Sequence, residues 1–122
     1  MDARSLARWQ ALGRLAFGAG LMVAPAALAG AWVGGVADRR EGQAIVIGLG
    51  ARDVALALGA LRAVGAGYGA AAWLRAGMLA DAADLIGTLR ARDSIPPPAA
   101  PVVCALAGGS LLLGAWLQSA LD

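Results

Sequence analysis

The chain has 122 residues, a mass of 12.1 kDa and a formal net charge of +2; 60% of its residues are apolar and 15% are charged. A soluble domain carries roughly 25% charged residues and needs polar side chains over the surface that a chain of this size cannot bury. The mean hydropathy of +0.70 therefore excludes a soluble globular domain, and the shortage of polar tracts excludes a disordered chain. The composition indicates a membrane protein with one domain over residues 1–122.

Missing residue types narrow the chemistry that the chain can support. It has no histidine, and Cys104 is its only cysteine. These absences exclude an internal disulfide, a Cys/His metal site and histidine-based catalytic triads, so we expect no metal and no cofactor. The basic residues are ten arginines dispersed between apolar stretches. No basic cluster forms, so we expect the lipid bilayer and not nucleic acid as the partner.

Four stretches are long enough to cross the hydrocarbon layer, which takes about 20 mostly apolar residues in a helix. They cover residues 15–37, 43–65, 67–89 and 97–121. Arg14 borders the first stretch, and the prolines at 96–98 open the last, where a helix tolerates the missing N–H. The fold predicted is all-α, a polytopic membrane bundle of four helices.

The two middle stretches and the N-terminus each have an alternative interpretation. Arg52 and Asp53 interrupt the second stretch, and each charge at mid-bilayer costs about 2.5–3.5 kcal/mol on insertion scales. Residues 43–91 could instead form two amphipathic helices outside the bilayer. The N-terminus resembles a secretory signal with an A-x-A site at 27–29, but the apolar stretch continues past it. We interpret this stretch as the first helix, preceded by an amphipathic lead-in at 2–13.

The orientation of the chain is weakly encoded. An even number of spans places both termini on one side, with four arginines on each face of the membrane. Arg4, Arg8, Arg14 and Arg62 are expected on the side of the termini, and Arg39, Arg40, Arg90 and Arg92 on the other. We expect cytoplasmic termini in a bacterial plasma membrane, because the first helix usually dominates orientation.

Glycine and proline mark packing features within the helices. Gly30 and Gly34 form a G-x-x-x-G pair, the pattern that lets membrane helices approach closely. Gly48, Gly59, Gly108, Gly109 and Gly114 lie in the other stretches and have the same interpretation. Pro25 removes a backbone hydrogen bond, so it predicts a kink in the first helix.

Four ionisable residues inside the apolar stretches carry the functional prediction: Arg52, Asp53, Asp81 and Asp84. Ionisable side chains within a membrane face the bundle interior or a cavity and mark function by default. Asp81 and Asp84 are three residues apart, so a helix presents both on one face. The second and third helices are antiparallel neighbours, which brings Arg52 and both aspartates to similar depths.

Such a cluster supports acid–base catalysis, because one aspartate paired with Arg52 stays ionised while another holds a proton. We therefore predict a membrane-embedded hydrolase or cyclase that acts on a lipophilic small molecule such as an epoxide, with Arg52, Asp53, Asp81 and Asp84 as catalytic residues. Gln43, Tyr68, Thr88 and Trp73 are candidate supporting groups. Two alternatives remain open: a structural clasp that fixes helix register, and a proton or ion pathway in a homo-oligomer.

The motifs Gly50–Asp53 (GARD) and Ala80–Asp84 (ADAAD) carry a resemblance to a known family. The chain resembles the small four-helix membrane proteins of bacteria and fungi that form an uncharacterised, DoxX-like domain family. Those proteins carry G-x-R-D on the second helix and D-x-x-D on the third, and the resemblance covers residues 10–121. It implies a four-helix bundle whose polar centre is formed by Arg52, Asp53, Asp81 and Asp84, and it implies no particular reaction.

Overall fold

The computed structural model of the protein describes residues 1–121, which are helical apart from short connections. The elements are α1 (Ala3–Val23), α2 (Pro25–Val33), a 3-10 helix (Gly34–Asp38), α3 (Arg40–Ala66), α4 (Ala70–Arg90) and α5 (Ala99–Leu121). Within these 121 residues no strand is formed. The prediction of an all-α helical bundle is confirmed.

Four long helices, α1, α3, α4 and α5, form the bundle, and sequential long helices run antiparallel. On α1 and α3, Gly18 lies against Gly50 while Arg4 reaches the carbonyl of Val64. The paired numbers rise on one helix as they fall on the other, which defines an antiparallel pair. In the same way Gly59 of α3 meets Trp73 of α4. The bundle therefore has two ends: the terminal end, where α1 begins and α5 ends, and the loop end opposite it.

The first helix differs from the one predicted over 15–37. Asp2 caps α1 at its start, because its carboxylate accepts the backbone N–H of Ser5 at 2.7 Å, and this hydrogen bond lowers the pKa of the Asp2 carboxyl. The stretch 2–13, expected as a separate lead-in, is thus the first half of α1. At the other end, Pro25 disfavours a helical backbone at Ala24, whose φ of −134° ends α1.

The kink predicted at Pro25 is present and is large. The axis of α1 and that of the segment from Pro25 to Asp38 differ by 106°. The second half of the predicted first span is therefore a lateral connection made of α2 and the 3-10 helix. Trp32 on α2 donates a hydrogen bond from Nε1 to Thr88 Oγ1 at 2.9 Å, which ties this connection to α4.

Side-chain size is distributed as expected for a bundle in lipid. The buried apolar residues are mostly alanines, and only Leu21 and Leu117 are large and fully buried. Many large apolar side chains point outward; Ile45, Leu79 and Leu112 are more than 70% exposed. Helices in lipid associate through small residues and close packing, whereas such an apolar exterior would be a liability in water. The packing identifies a membrane protein.

Two helices, α3 and α5, are long and apolar enough to cross a membrane, and the bent segment from Ala3 to Asp38 becomes a third if it counts as one span. The sequence predicts four spans. Helix α4 is not apolar enough to count as a span, because Arg75, Asp81 and Asp84 reduce its hydropathy. Its 21 residues are nevertheless long enough, since they cover about 31 Å at the helical rise.

Close approach between helices occurs at glycines that differ from the predicted pair. A Cβ added at Gly18 would lie 2.6 Å from the carbonyl oxygen of Gly50, so α1 and α3 are in backbone contact. An added Cβ at Gly30, by contrast, would have nothing within 4 Å, because α2 contacts the rest of the bundle through Ala29 and Trp32 instead. The G-x-x-x-G pair at Gly30 and Gly34 therefore joins no two helices of the described chain.

The contact at Gly18 gives a first prediction. Gly18→Ala forces α1 and α3 apart and lowers the free energy of unfolding by about 1–3 kcal/mol, the usual cost of overpacking. Gly13→Ala on the same helix is the matched control, since nothing lies within 4 Å of its added Cβ. Denaturant unfolding in detergent, followed by circular dichroism, measures both variants. Equal stability of the two variants would contradict the backbone contact.

Candidate functional site

The polar centre of the bundle is an ionic cluster, defined here as Arg14, Arg52, Asp53, Asp81 and Asp84. Arg14, Asp53 and Asp81 each lie within one residue of the middle of their helix, as does Ser110 of α5. All four long helices therefore bring polar groups to one depth, midway along the bundle. The four predicted site residues Arg52, Asp53, Asp81 and Asp84 are together in this cluster.

Arg52 joins α3 to α4. Its Nη1 and Nη2 donate to the two carboxylate oxygens of Asp84 at 2.9 and 2.8 Å, a bidentate pair. Its Nε and Nη2 also donate to Asp53 Oδ1 at 3.1 and 3.0 Å. Asp53 is 2% exposed and points into the bundle, while the Arg52 side chain is 31% exposed at the seam. This fits the 100° angle expected between adjacent helical residues.

Arg14 joins α1 to the same carboxylates. Its Nη2 donates to Asp81 Oδ2 at 2.7 Å, and its Nη1 lies 3.4 Å from Asp53 Oδ1. Nη2 also reaches Ser110 Oγ at 3.3 Å, and Gln10 donates to the carbonyl and hydroxyl of Ser110 at 2.9 and 3.1 Å. The Arg14 side chain is 12% exposed. Hydrogen bonds therefore connect α1, α3, α4 and α5 through one network.

The central position of Arg14 corrects the sequence-based assignment, which placed it at the border of the first span, on the side of the termini. That error follows from beginning the first span at residue 15, one residue after Arg14. A signal was present: Ala7, Ala11, Arg14, Gly18 and Leu21 are spaced by 4, 3, 4 and 3 residues. This is the spacing of a helix face that packs against neighbours, and the other four residues on it are buried. A charge on that face belongs in the interior.

Charge balance is a second signal for Arg14. The predicted site contains three carboxylates and one guanidinium, a large imbalance for an apolar interior. Arg14 supplies the second guanidinium, which leaves one carboxylate in excess. Among the described residues, no buried side-chain nitrogen or oxygen lacks a hydrogen-bond partner. The cluster is thus internally paired, and it contains one more carboxyl group than guanidinium groups.

A cavity lies beside Arg14 and Asp81 of the cluster. About 20 Å³ of it is available to the centres of water molecules, which is room for about one water. Its polar lining comes from Gln10, Arg14, Asp81 and Ser110, and its bulky lining includes Trp73. Asp81 is the aspartate of the cluster that lines this cavity; Asp53 and Asp84 do not.

The candidate supporting groups are distributed over the bundle. Trp73 lines the cavity and packs on Gly59. Thr88 is buried and accepts a hydrogen bond from Trp32, so it anchors α2 to α4. Gln43 lies near the start of α3, a long way along the helix from the cluster, and Tyr68 is 76% exposed in the α3–α4 connection.

The described residues contain no group of three or more His, Cys, Asp or Glu side chains arranged to hold a metal ion. Comparison with family models, curated proteins and solved structures gave no match. The resemblance to the DoxX-like membrane family therefore stays a prediction. The functional argument depends on the geometry of the cluster and its cavity.

Arg14 and Arg8, which lie on one helix, provide a second prediction. Arg14→Gln leaves buried carboxylates uncompensated and lowers the free energy of unfolding by about 3–5 kcal/mol, the cost of breaking a buried ion pair. Arg8→Gln is the control, because Arg8 is exposed and changes stability by less than about 0.5 kcal/mol. Denaturant unfolding in detergent compares the two. If both variants unfold like the wild type, Arg14 lies at the border of the first span as first expected.

Proposed function

We propose that this membrane protein carries out acid–base chemistry on a lipophilic small molecule, with Asp81 as the group that exchanges protons. The supporting observation is the position of Asp81, since it is the carboxylate of the cluster that lines the cavity. Asp81 accepts one hydrogen bond from the cluster, from Arg14, whereas Asp84 accepts two from Arg52. A group with fewer fixed partners is the one free to interact with a substrate.

The cluster divides into two halves under this proposal. Arg52, Asp53 and Asp84 form the positioning half: two hydrogen bonds from Arg52 to Asp84 fix α3 against α4, and two from Arg52 to Asp53 lie within α3. Arg14 and Asp81, with Ser110 and Gln10, form the reactive half at the cavity. Asp81, expected from sequence to share catalysis with Asp53 and Asp84, becomes the central residue.

The surplus carboxylate supports proton exchange at this site. Two guanidiniums stay charged, so three ionised carboxylates would leave one net negative charge in an apolar interior, at a cost of several kcal/mol. Uptake of a proton, or of a cationic group, removes that charge. A cluster of this composition is therefore suited to pass a proton between a carboxylate and a molecule in the cavity.

Hydrolysis of an epoxide illustrates the chemistry. A water in the cavity attacks an epoxide carbon, the carbon–oxygen bond breaks, and Asp81 accepts a proton from the attacking water. The released alkoxide accepts a hydrogen bond from the Arg14 guanidinium and then takes the proton from Asp81, so one water is added and the diol is neutral. Because the cavity holds about one water, a larger substrate must displace Trp73 or Met78 from its lining.

The test uses a lipophilic epoxide, trans-stilbene oxide, with protein reconstituted in liposomes. We expect diol formation by the wild type and a loss of about 100-fold or more in Asp81→Asn, the range for removal of a general acid–base group. Asp93→Asn is the matched control, because Asp93 is exposed in the α4–α5 connection and lies outside the cluster. Turnover by Asp81→Asn at the wild-type rate would contradict the role of Asp81.

A structural clasp is the second candidate function, favoured by the internal pairing of the cluster across α1, α3 and α4. In that case the wild type forms no diol, and Asp84→Asn lowers the unfolding midpoint as much as Asp81→Asn does. Under the catalytic proposal the two variants differ. Asp84→Asn destabilises the bundle because it breaks the bidentate pair with Arg52, whereas Asp81→Asn retains most of the stability and loses turnover.

A further inference from the structure

Exposed arginines gather at the terminal end of the bundle. Arg8 of α1, Arg62 of α3 and Arg75 of α4 are exposed and lie one to two turns from the ends of their helices at that side. The contacts between helices place them at similar depth, since Arg4 meets Val64 and Gly59 meets Trp73. They belong to three of the four long helices. We call Arg8, Arg62 and Arg75 the arginine collar.

The collar has little negative charge to compensate it. Among residues 1–121, Asp2 is the acidic side chain at this end, and no collar arginine forms an ion pair with a described residue. With Arg4 the terminal end has four arginines. The loop end has four as well, but they are mixed with Asp38, Glu41 and Asp93, and Arg39 bonds to Glu41 at 3.0 Å. The two ends therefore differ in charge although their arginine counts are equal.

Tryptophans lie at the depth of the collar and provide independent support. Trp9, Trp73 and Trp116 belong to α1, α4 and α5 and are 64%, 41% and 51% exposed. Exposed tryptophans are enriched at the boundary between hydrocarbon and headgroups. The headgroup layer thus crosses the bundle at the level of the collar, which puts the three guanidiniums among lipid headgroups.

We propose that the arginine collar binds anionic lipid headgroups, and that the terminal end faces the cytoplasmic leaflet. Basic side chains at that leaflet gain free energy from its anionic lipids, and a guanidinium pairs bidentately with a phosphate. At the loop end three acidic residues offset most of the charge of the four arginines, so its preference for anionic lipid is weaker. This proposal is independent of the chemistry at Asp81, because the collar lies outside the ionic cluster.

Brominated lipids test the headgroup preference, because bromine quenches tryptophan fluorescence at short range. The protein is reconstituted in phosphatidylcholine nanodiscs that contain a minor fraction of brominated phosphatidylglycerol. We expect several-fold more quenching than random mixing of that lipid at its mole fraction would give. The upper bound is about fivefold local enrichment of the lipid for each arginine. The excess should fall at high salt, since screening weakens contacts between exposed charges.

A variant with Arg8→Gln, Arg62→Gln and Arg75→Gln should lose the excess quenching, while its tryptophans and ionic cluster are unchanged. The matched control carries Arg39→Gln, Arg40→Gln and Arg90→Gln at the loop end and should keep the excess. Quenching equal to the mole fraction in the wild type would overturn the proposal. Equal loss of the excess quenching in both triple variants would also overturn the proposal, because lipid binding would then depend on the total charge and not on the collar.

Cysteine labelling in intact cells tests the orientation. In a Cys104→Ser background, Tyr68→Cys marks the terminal end and Asp93→Cys marks the loop end; both positions are exposed. A membrane-impermeant maleimide should label Asp93→Cys from outside and Tyr68→Cys only after permeabilisation. The reverse pattern would overturn the assignment of the terminal end to the cytoplasm.

Discussion

The high cost of an uncompensated charge in an apolar interior governs this bundle. Its five central ionisable side chains are acceptable only because each guanidinium meets two carboxylates, and that requirement fixes which helices are neighbours. Arg52 needs α3 beside α4, and Arg14 needs α1 beside both. The helices have few large apolar side chains in their interfaces. The ionic cluster therefore specifies which helices pair, a role that complementary packing of large side chains has in other cores.

Small residues allow the helices to come close enough for the ionic cluster to form. Hydrogen bonds of 2.7–2.9 Å between side chains on different helices require helix axes that approach closely, and α1 reaches α3 through the contact of Gly18 with Gly50. Gly50 is three residues before Asp53 and Gly18 is four after Arg14. This backbone contact between α1 and α3 and the ion pair are therefore one turn apart, so the alanine- and glycine-rich composition serves the polar centre.

Much of the fold and part of the site could be predicted from sequence. Helix boundaries for α3, α4 and α5 follow from apolar stretches that end at charged, glycine-rich or proline-rich connections, and Asp81 and Asp84 share a face because they are three residues apart. The first helix could not be placed, because a hydropathy criterion ends the apolar stretch at Arg14 and treats the charge as a boundary. The bend of 106° at Pro25 also depends on where α2 packs, which the local sequence does not encode.

The arginines show how one residue type serves two purposes according to its place on the helix. Arg14 lies on the face spaced 4, 3, 4 and 3 that packs into the bundle, and Asp53, Asp81 and Asp84 lie on the corresponding faces of α3 and α4. Arg8, Arg62 and Arg75 lie off those faces and are exposed. Hydropathy counts every arginine equally, so it measures how many charges a helix carries but not their direction. Direction decides whether a guanidinium pairs with an aspartate at the centre or with a phosphate at the surface, and it follows from spacing once the start of the helix is known.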